Sequence, residues 1–114
     1  MKQNVTKDSY ATVSAEEFSD LLKSNNTFLL DVRTPDEFKE GHIEGAYNLD
    51  VNAPDFLTRA KETLPKDKTI AVYCLAGKRE AKASDELFPD GYKIVDLEGG
   101  IEGWIKAGYP TVKN

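Results

Sequence analysis

Cysteine and histidine are nearly absent from this chain, with one of each in 114 residues. A single cysteine cannot close a disulfide within the chain. One cysteine and one histidine cannot form the Cys/His ligand sets of zinc sites, so no metal or other cofactor is expected. Long apolar runs are also missing. None approaches the roughly 20 residues that cross a bilayer, and no membrane span is expected. Basic charge is in deficit, with 15 Lys and Arg against 20 Asp and Glu for a net charge of −5. Neutralising phosphates takes a basic footprint, so nucleic acid is not the expected partner. The opening stretch MKQNVTKDSYATV has no apolar h-region. A cytoplasmic location is the default expectation, and an extracytoplasmic one stays open if a signal segment was removed.

The remaining composition is that of a globular protein, with 39% hydrophobic and 31% charged residues. The length suits one core without disulfides or metal. Residues 1–9 are polar and read as a loose tail, leaving one domain over residues 10–114. Within it, strand and helix patterns alternate. Tyr10 to Val13 reads as a short strand. Ser14-Ala-Glu-Glu17 matches a capping box, and Ala15, Phe18, Leu21 and Leu22 follow at helical spacing. Thr27 to Val32 is an apolar run of strand length that suits burial on both faces. Thr34-Pro35 offers an N-cap and a first-turn proline for a helix stopped by Gly41.

Gly45 to Leu49 reads as another short strand. A helix beginning at Asn52 or Asp55 carries Phe56, Leu57, Ala60 and Leu64 on one face. Thr69 to Tyr73 is a strand rich in β-branched and aromatic residues. Arg79 to about Phe88 is helical, with Ala83, Ser84, Leu87 and Phe88 inward. Tyr92 to Leu97 is the last strand. After Gly99-Gly100, the residues Ile101, Trp104 and Ile105 form one apolar helix stripe ended by Gly108. This alternation predicts an α/β fold with a mostly parallel sheet of about five strands and helices on both faces. Ligands of such sheets bind beyond the carboxyl ends of strands. Cys74 stands at one such end, and Asp31 and Arg33 at another.

Around the cysteine the sequence is Cys74-Leu75-Ala76-Gly77-Lys78-Arg79. A strand ends, a short loop follows, and a helix begins. Successive N–H groups in such a loop can form an anion-binding nest, joined by the positive end of the helix. Gly77 supplies backbone freedom, and Lys78 and Arg79 supply positive charge. Such a cradle favours the thiolate form of its sulfur. An inert, buried cysteine is the competing reading, because cysteine is among the most buried residue types. The local pattern leaves both standing.

Four segments, in order, resemble the rhodanese (thiosulfate sulfurtransferase-like) family over roughly residues 10–110. They are Leu29-Leu-Asp-Val-Arg33 followed by Thr-Pro-Asp-Glu-Phe38; Gly41-His-Ile-Glu-Gly-Ala-Tyr-Asn48; Tyr73-Cys-Leu-Ala-Gly-Lys-Arg79; and Gly99-Gly-Ile-Glu-Gly-Trp104 through Pro110. The resemblance implies a sulfurtransferase. Cys74 would be the nucleophile that carries a persulfide. The active-site loop would be Leu75, Ala76, Gly77, Lys78 and Arg79, with Asp31 and Arg33 as a supporting rim. The implied partners are a small-molecule sulfur donor, such as thiosulfate or a thiol persulfide, and a thiol, cyanide or protein acceptor.

Cysteine phosphatases related to this family have a loop one residue longer and tend to carry histidine before the cysteine. Here that residue is Tyr73, which favours sulfur over phosphoryl chemistry. Glu80 stands where the family often has serine, and Leu75 and Ala76 where many members have polar or basic residues. The loop mouth is thus less cationic than that of a typical thiosulfate user, and thiosulfate is expected to be the poorer donor. The alternative is a binding or regulatory module, or a sulfur carrier, with little turnover. His42 and Trp104 are expected to be structural, through a satisfied hydrogen bond and core packing respectively. For Arg33 an ion pair or turn contact is expected, with an indirect effect on the loop.

Overall fold

A computed structural model describes residues 11–76 and 79–113, excluding the side chains of Arg79, Glu80 and Ala81. The expected tail over residues 1–9, Tyr10, Gly77 and Lys78 lie outside the described residues.

Among the described residues, five parallel strands run β1 (Ala11–Val13), β2 (Thr27–Asp31), β3 (Tyr47–Asn48), β4 (Thr69–Tyr73) and β5 (Lys93–Leu97), in the spatial order β1-β5-β4-β2-β3. Five helices connect or follow them: α1 (Ala15–Leu22), α2 (Pro35–Glu40), α3 (Phe56–Thr63), α4 (Arg79–Leu87) and α5 (Gly100–Lys106). The mostly parallel α/β sheet expected from the sequence is therefore present.

Helix starts follow local chemistry. The Ser14 hydroxyl accepts the Glu17 N–H at 3.2 Å, and the Glu17 carboxylate accepts the Ser14 N–H at 3.1 Å. Thr34 and Glu37 repeat the exchange at 3.2 and 3.0 Å, with Pro35 in the first turn of α2. Each box satisfies donors that the helix itself leaves unpaired.

Strand alternation divides the core in two. On one face Leu30, Ile70, Val72, Cys74 and Ile94 pack with Phe56 and Ala60 of α3 and Ala83 and Leu87 of α4. On the other, Leu29, Ala71, Tyr73 and Leu97 pack with Phe18 of α1 and Ile101 and Trp104 of α5. Burying each large apolar side chain contributes about 1.5–3 kcal/mol, so both faces are firmly held.

Three expectations shift. The strand expected over Gly45 to Leu49 shrinks to Tyr47–Asn48, because it pairs only with β2, at Leu30 and Asp31. Phe88 leaves α4 and begins a 3₁₀ turn, Phe88–Asp90, containing Pro89. Ile105 departs from the apolar stripe of α5: Ile101 and Trp104 are buried, but Ile105 is 54% exposed. Each residue turns a helix by about 100°, which carries Ile105 past the narrow edge where this short helix meets the sheet.

Candidate active site

Cys74 follows the last residue of β4, the middle strand of the sheet. It is 1% exposed and faces the side covered by α3 and α4. The next two residues, Leu75 and Ala76, are exposed, and α4 begins at Arg79. The expected strand–loop–helix path is therefore present, while Gly77, Lys78 and the Arg79 side chain lie outside the described residues.

The loop is tied to an element far along the chain. The Ile101 N–H donates to the Cys74 carbonyl at 2.8 Å, and the Glu102 N–H donates to the Leu75 carbonyl at 3.0 Å. These are first-turn donors of α5, whose N-cap, Gly99, offers no side chain to them. Gly99 and Gly100 have φ of +77° and +61°, backbone that side chains resist. From the sequence, Gly99-Gly100 preceded a helix and opened one of the four family-like segments, with no link to the cysteine loop. The doubled glycine was the available signal for a close backbone approach.

A buried polar cluster gathers at the carboxyl ends of β2 and β4. Asp31 ends β2, and its carboxylate accepts the Arg33 backbone N–H at 2.9 Å and the guanidinium at 2.6 Å. Arg33 also donates to the Gly41 carbonyl at 2.7 Å, and its guanidinium lies 5.7 Å from the Tyr73 ring centroid. Burial alone would lower the Arg33 pKa, but the hydrogen bonds and charge of Asp31 outweigh it and raise it. The Tyr73 hydroxyl accepts the Ile43 N–H at 3.1 Å. Burial, followed by the negative charge of Asp31, pushes its pKa far above the ordinary phenol value. The Asn48 amide donates to the carbonyls of Asp31 and Arg33 at 3.1 and 2.9 Å. Asp31 and Arg33 thus form the expected ion pair, and Tyr73, the residue before the cysteine, joins them to the 41–43 turn.

His42 is structural in its contacts. Its Nδ1 lies 2.8 Å from the Phe38 carbonyl, its ring stacks on Phe38 with centroids 3.7 Å apart, and its backbone bridges Val112. Trp104 is packed edge-on against Phe18, and its indole N–H donates to the Pro110 carbonyl at 2.8 Å.

The rim around the loop combines exposed apolar side chains with charges of both signs. Leu75 and Ile105 are two of the three exposed large hydrophobic residues among those described. Both line a cavity of about 390 Å³ with Arg33, Glu37, Glu40 and Thr111. Ala76 and Ile105 line a second, of about 590 Å³, with Glu102 and Lys106. On the side that Cys74 faces, Lys82 of α4 donates to the Asn52 side chain at 3.2 Å. Nothing in the sequence signalled this contact, because 30 positions separate the two residues.

The chain is similar in sequence and fold to known proteins. Residues 14–107 match the family described as the rhodanese-like domain. The chain is 35% identical over 111 residues to thiosulfate sulfurtransferase 16, chloroplastic, of Arabidopsis thaliana, covering 89% of this chain and 92% of that protein. It is 37% identical over 99 residues to a tRNA uridine(34) hydroxylase of Staphylococcus saprophyticus, covering 82% of this chain but 31% of the longer protein. Its fold is similar to the crystal structure of a rhodanese-related protein from Thermoplasma volcanium. That match has a TM-score of 0.81 at 36% identity and covers 92% of this chain and 100% of the other. With the family matched over residues 14–107 and the fold shared with a rhodanese-related structure, the chain belongs to the rhodanese-like domain family.

Proposed function

We propose that the protein is a sulfurtransferase that moves a sulfane sulfur through a persulfide on Cys74. The observation that carries this reading is the position of Cys74 at the carboxyl end of the middle strand, followed by two peptide groups fixed against α5. The sulfurtransferase name borne by an Arabidopsis relative of similar length supports it.

The Cys74 thiolate attacks the outer sulfur of the donor. A new S–S bond forms and the donor's own S–S bond breaks, with its electron pair leaving on sulfite or a thiolate. An acceptor thiol or cyanide then attacks the outer sulfur of the Cys74 persulfide, and the Cys74 thiolate departs. Each half-reaction is a nucleophilic displacement that needs no external oxidant. The loop of Leu75, Ala76, Gly77, Lys78 and Arg79 would hold the negative sulfur through backbone N–H groups. Asp31 and Arg33 support it from below by fixing Tyr73.

A thiol persulfide is the favoured donor over thiosulfate. Leu75 is exposed at the mouth, and the adjoining cavities set Glu37, Glu40 and Glu102 against Lys106 and an Arg33 already paired with Asp31, so a dianion gains little there. A second reading, a sulfur carrier or regulatory module with little turnover, draws on the exposed pair Leu75 and Ile105 as apolar contacts for a protein acceptor.

Mass spectrometry after treatment with thiosulfate or glutathione persulfide tests the proposal. Gain of one sulfur atom on Cys74, absent in Cys74→Ala, is expected. No sulfur gain with either donor would overturn the enzyme reading. Stoichiometric loading without multiple turnovers would favour the carrier.

A further inference from the structure

The doubled glycine before α5 bears directly on the cysteine loop. A Cβ placed on Gly100 would lie 2.6 Å from the Cys74 carbonyl oxygen and 2.6 Å from both the carbonyl carbon and oxygen of Leu75. All three are backbone atoms, so no flexible side chain can swing aside to make room. The contact exists because the Ile101 and Glu102 N–H groups reach those same two carbonyls.

Peptide geometry carries the consequence. In a trans peptide the N–H points opposite to the C=O, and the described residues contain no cis peptide. The Cys74 and Leu75 carbonyls are drawn toward α5, which packs on the sheet face of Ala71 and Tyr73. The N–H groups of Leu75 and Ala76 must therefore point away from α5. That is the side of the sheet on which the Cys74 side chain packs.

We propose that Gly100 is a positioning residue for Cys74. It lets the first turn of α5 press against the loop backbone and aim the Leu75 and Ala76 N–H groups toward the sulfur. The inference rests on the reading of Cys74 as the nucleophile. It adds that the anion-binding conformation is imposed from α5, not stored in the loop alone. A side chain at position 100 would push loop and helix apart, rotate the two peptide planes and weaken the hydrogen bonds available to a negative sulfur.

The test is the pH profile of Cys74 alkylation by iodoacetamide, followed by mass spectrometry. This requires no sulfur donor, and the sole cysteine gives one product. Wild type is compared with Gly100→Ala and with Gly91→Ala. Gly91 has φ of +90° and nothing within 4 Å of an added Cβ, so its substitution imposes backbone strain without touching the loop. Both variants should lose stability in urea. Only Gly100→Ala should move the midpoint of the alkylation profile to higher pH, by about one unit, comparable to weakening one hydrogen bond to a charged group.

Glu102→Pro provides a second arm should Gly100→Ala not fold. Glu102 is exposed, and a first-turn proline is tolerated while removing the donor to the Leu75 carbonyl. A shift in the same direction is expected. Profiles of the folded variants that overlay wild type would overturn the proposal. A shifted profile in a protein that accepts no sulfur from any donor would instead keep the role of Gly100 and overturn the sulfurtransferase reading.

Discussion

The guanidinium of Arg33 sits 2.6 Å from the carboxylate of Asp31, two residues back in the chain, with both side chains almost wholly buried. A buried pair of this kind is costly to break because the remaining charge stays in the protein. Arg33→Met should destabilise the protein by about 3–5 kcal/mol, a large share of a typical domain's total stability. The double variant Asp31→Asn/Arg33→Met should lose less than the single variant, since it leaves no unpaired charge. Urea unfolding of both checks this, and equal losses would count against the pair as the source of the effect.

Tyr73→Phe separates the phenol's hydrogen bond from its packing. The ring volume is retained, but the buried Ile43 N–H loses its acceptor. Leaving such a donor unpaired costs about 1–3 kcal/mol. Thermal unfolding should show the loss. Faster amide hydrogen exchange at Ile43 would locate it, and unchanged exchange there would contradict it.

Asp96 is buried, and its Oδ1 has no hydrogen-bond partner among the described residues. Burial raises its pKa above the ordinary carboxylate value, and the Asp85 charge adds to this, while Thr12 and Ser84 oppose it. The folded state then binds more protons than the unfolded state between the ordinary and the raised value. Stability therefore falls as pH rises through that window. Asp96→Asn removes the penalty. It should gain on wild type at neutral pH, with a gain that shrinks as pH falls through the window. Urea midpoints at neutral pH and at about pH 4, near the ordinary carboxylate value, measure the difference, and a gain independent of pH would refute the assignment.

Leu75→Arg tests the donor preference. A cation at this exposed position should raise kcat/KM for thiosulfate relative to glutathione persulfide. The change should be on the order of threefold to tenfold, as expected from about 1 kcal/mol of charge attraction across water. Added salt should erode it. Steady-state comparison of the two donors gives the ratio, and an unchanged ratio would remove the argument from the uncharged side chain of Leu75.

Much of this protein could be read from the sequence because the responsible physics is local. The boxes Ser14–Glu17 and Thr34–Glu37 are three-residue exchanges, and they start α1 and α2 where expected. The runs Thr27 to Asp31 and Thr69 to Tyr73 form strands because their apolar residues alternate between two buried faces. The order of motifs around Cys74 was enough to indicate the family.

What tertiary structure alone decided are relationships between distant segments. Ile101, Trp104 and Ile105 share a helical stripe in sequence, but the fold buries only Ile101 and Trp104 and leaves Ile105 outside, lining one cavity with Leu75. The pair Asp31 and Arg33 is local, yet only the fold brings it under Tyr73 and against Gly41. The cysteine's place at a strand end was written in its neighbours. The direction of the peptide groups beyond it was not, because it depends on α5 folding back to hold them. That contact exists only once β4 and β5 lie side by side in the sheet.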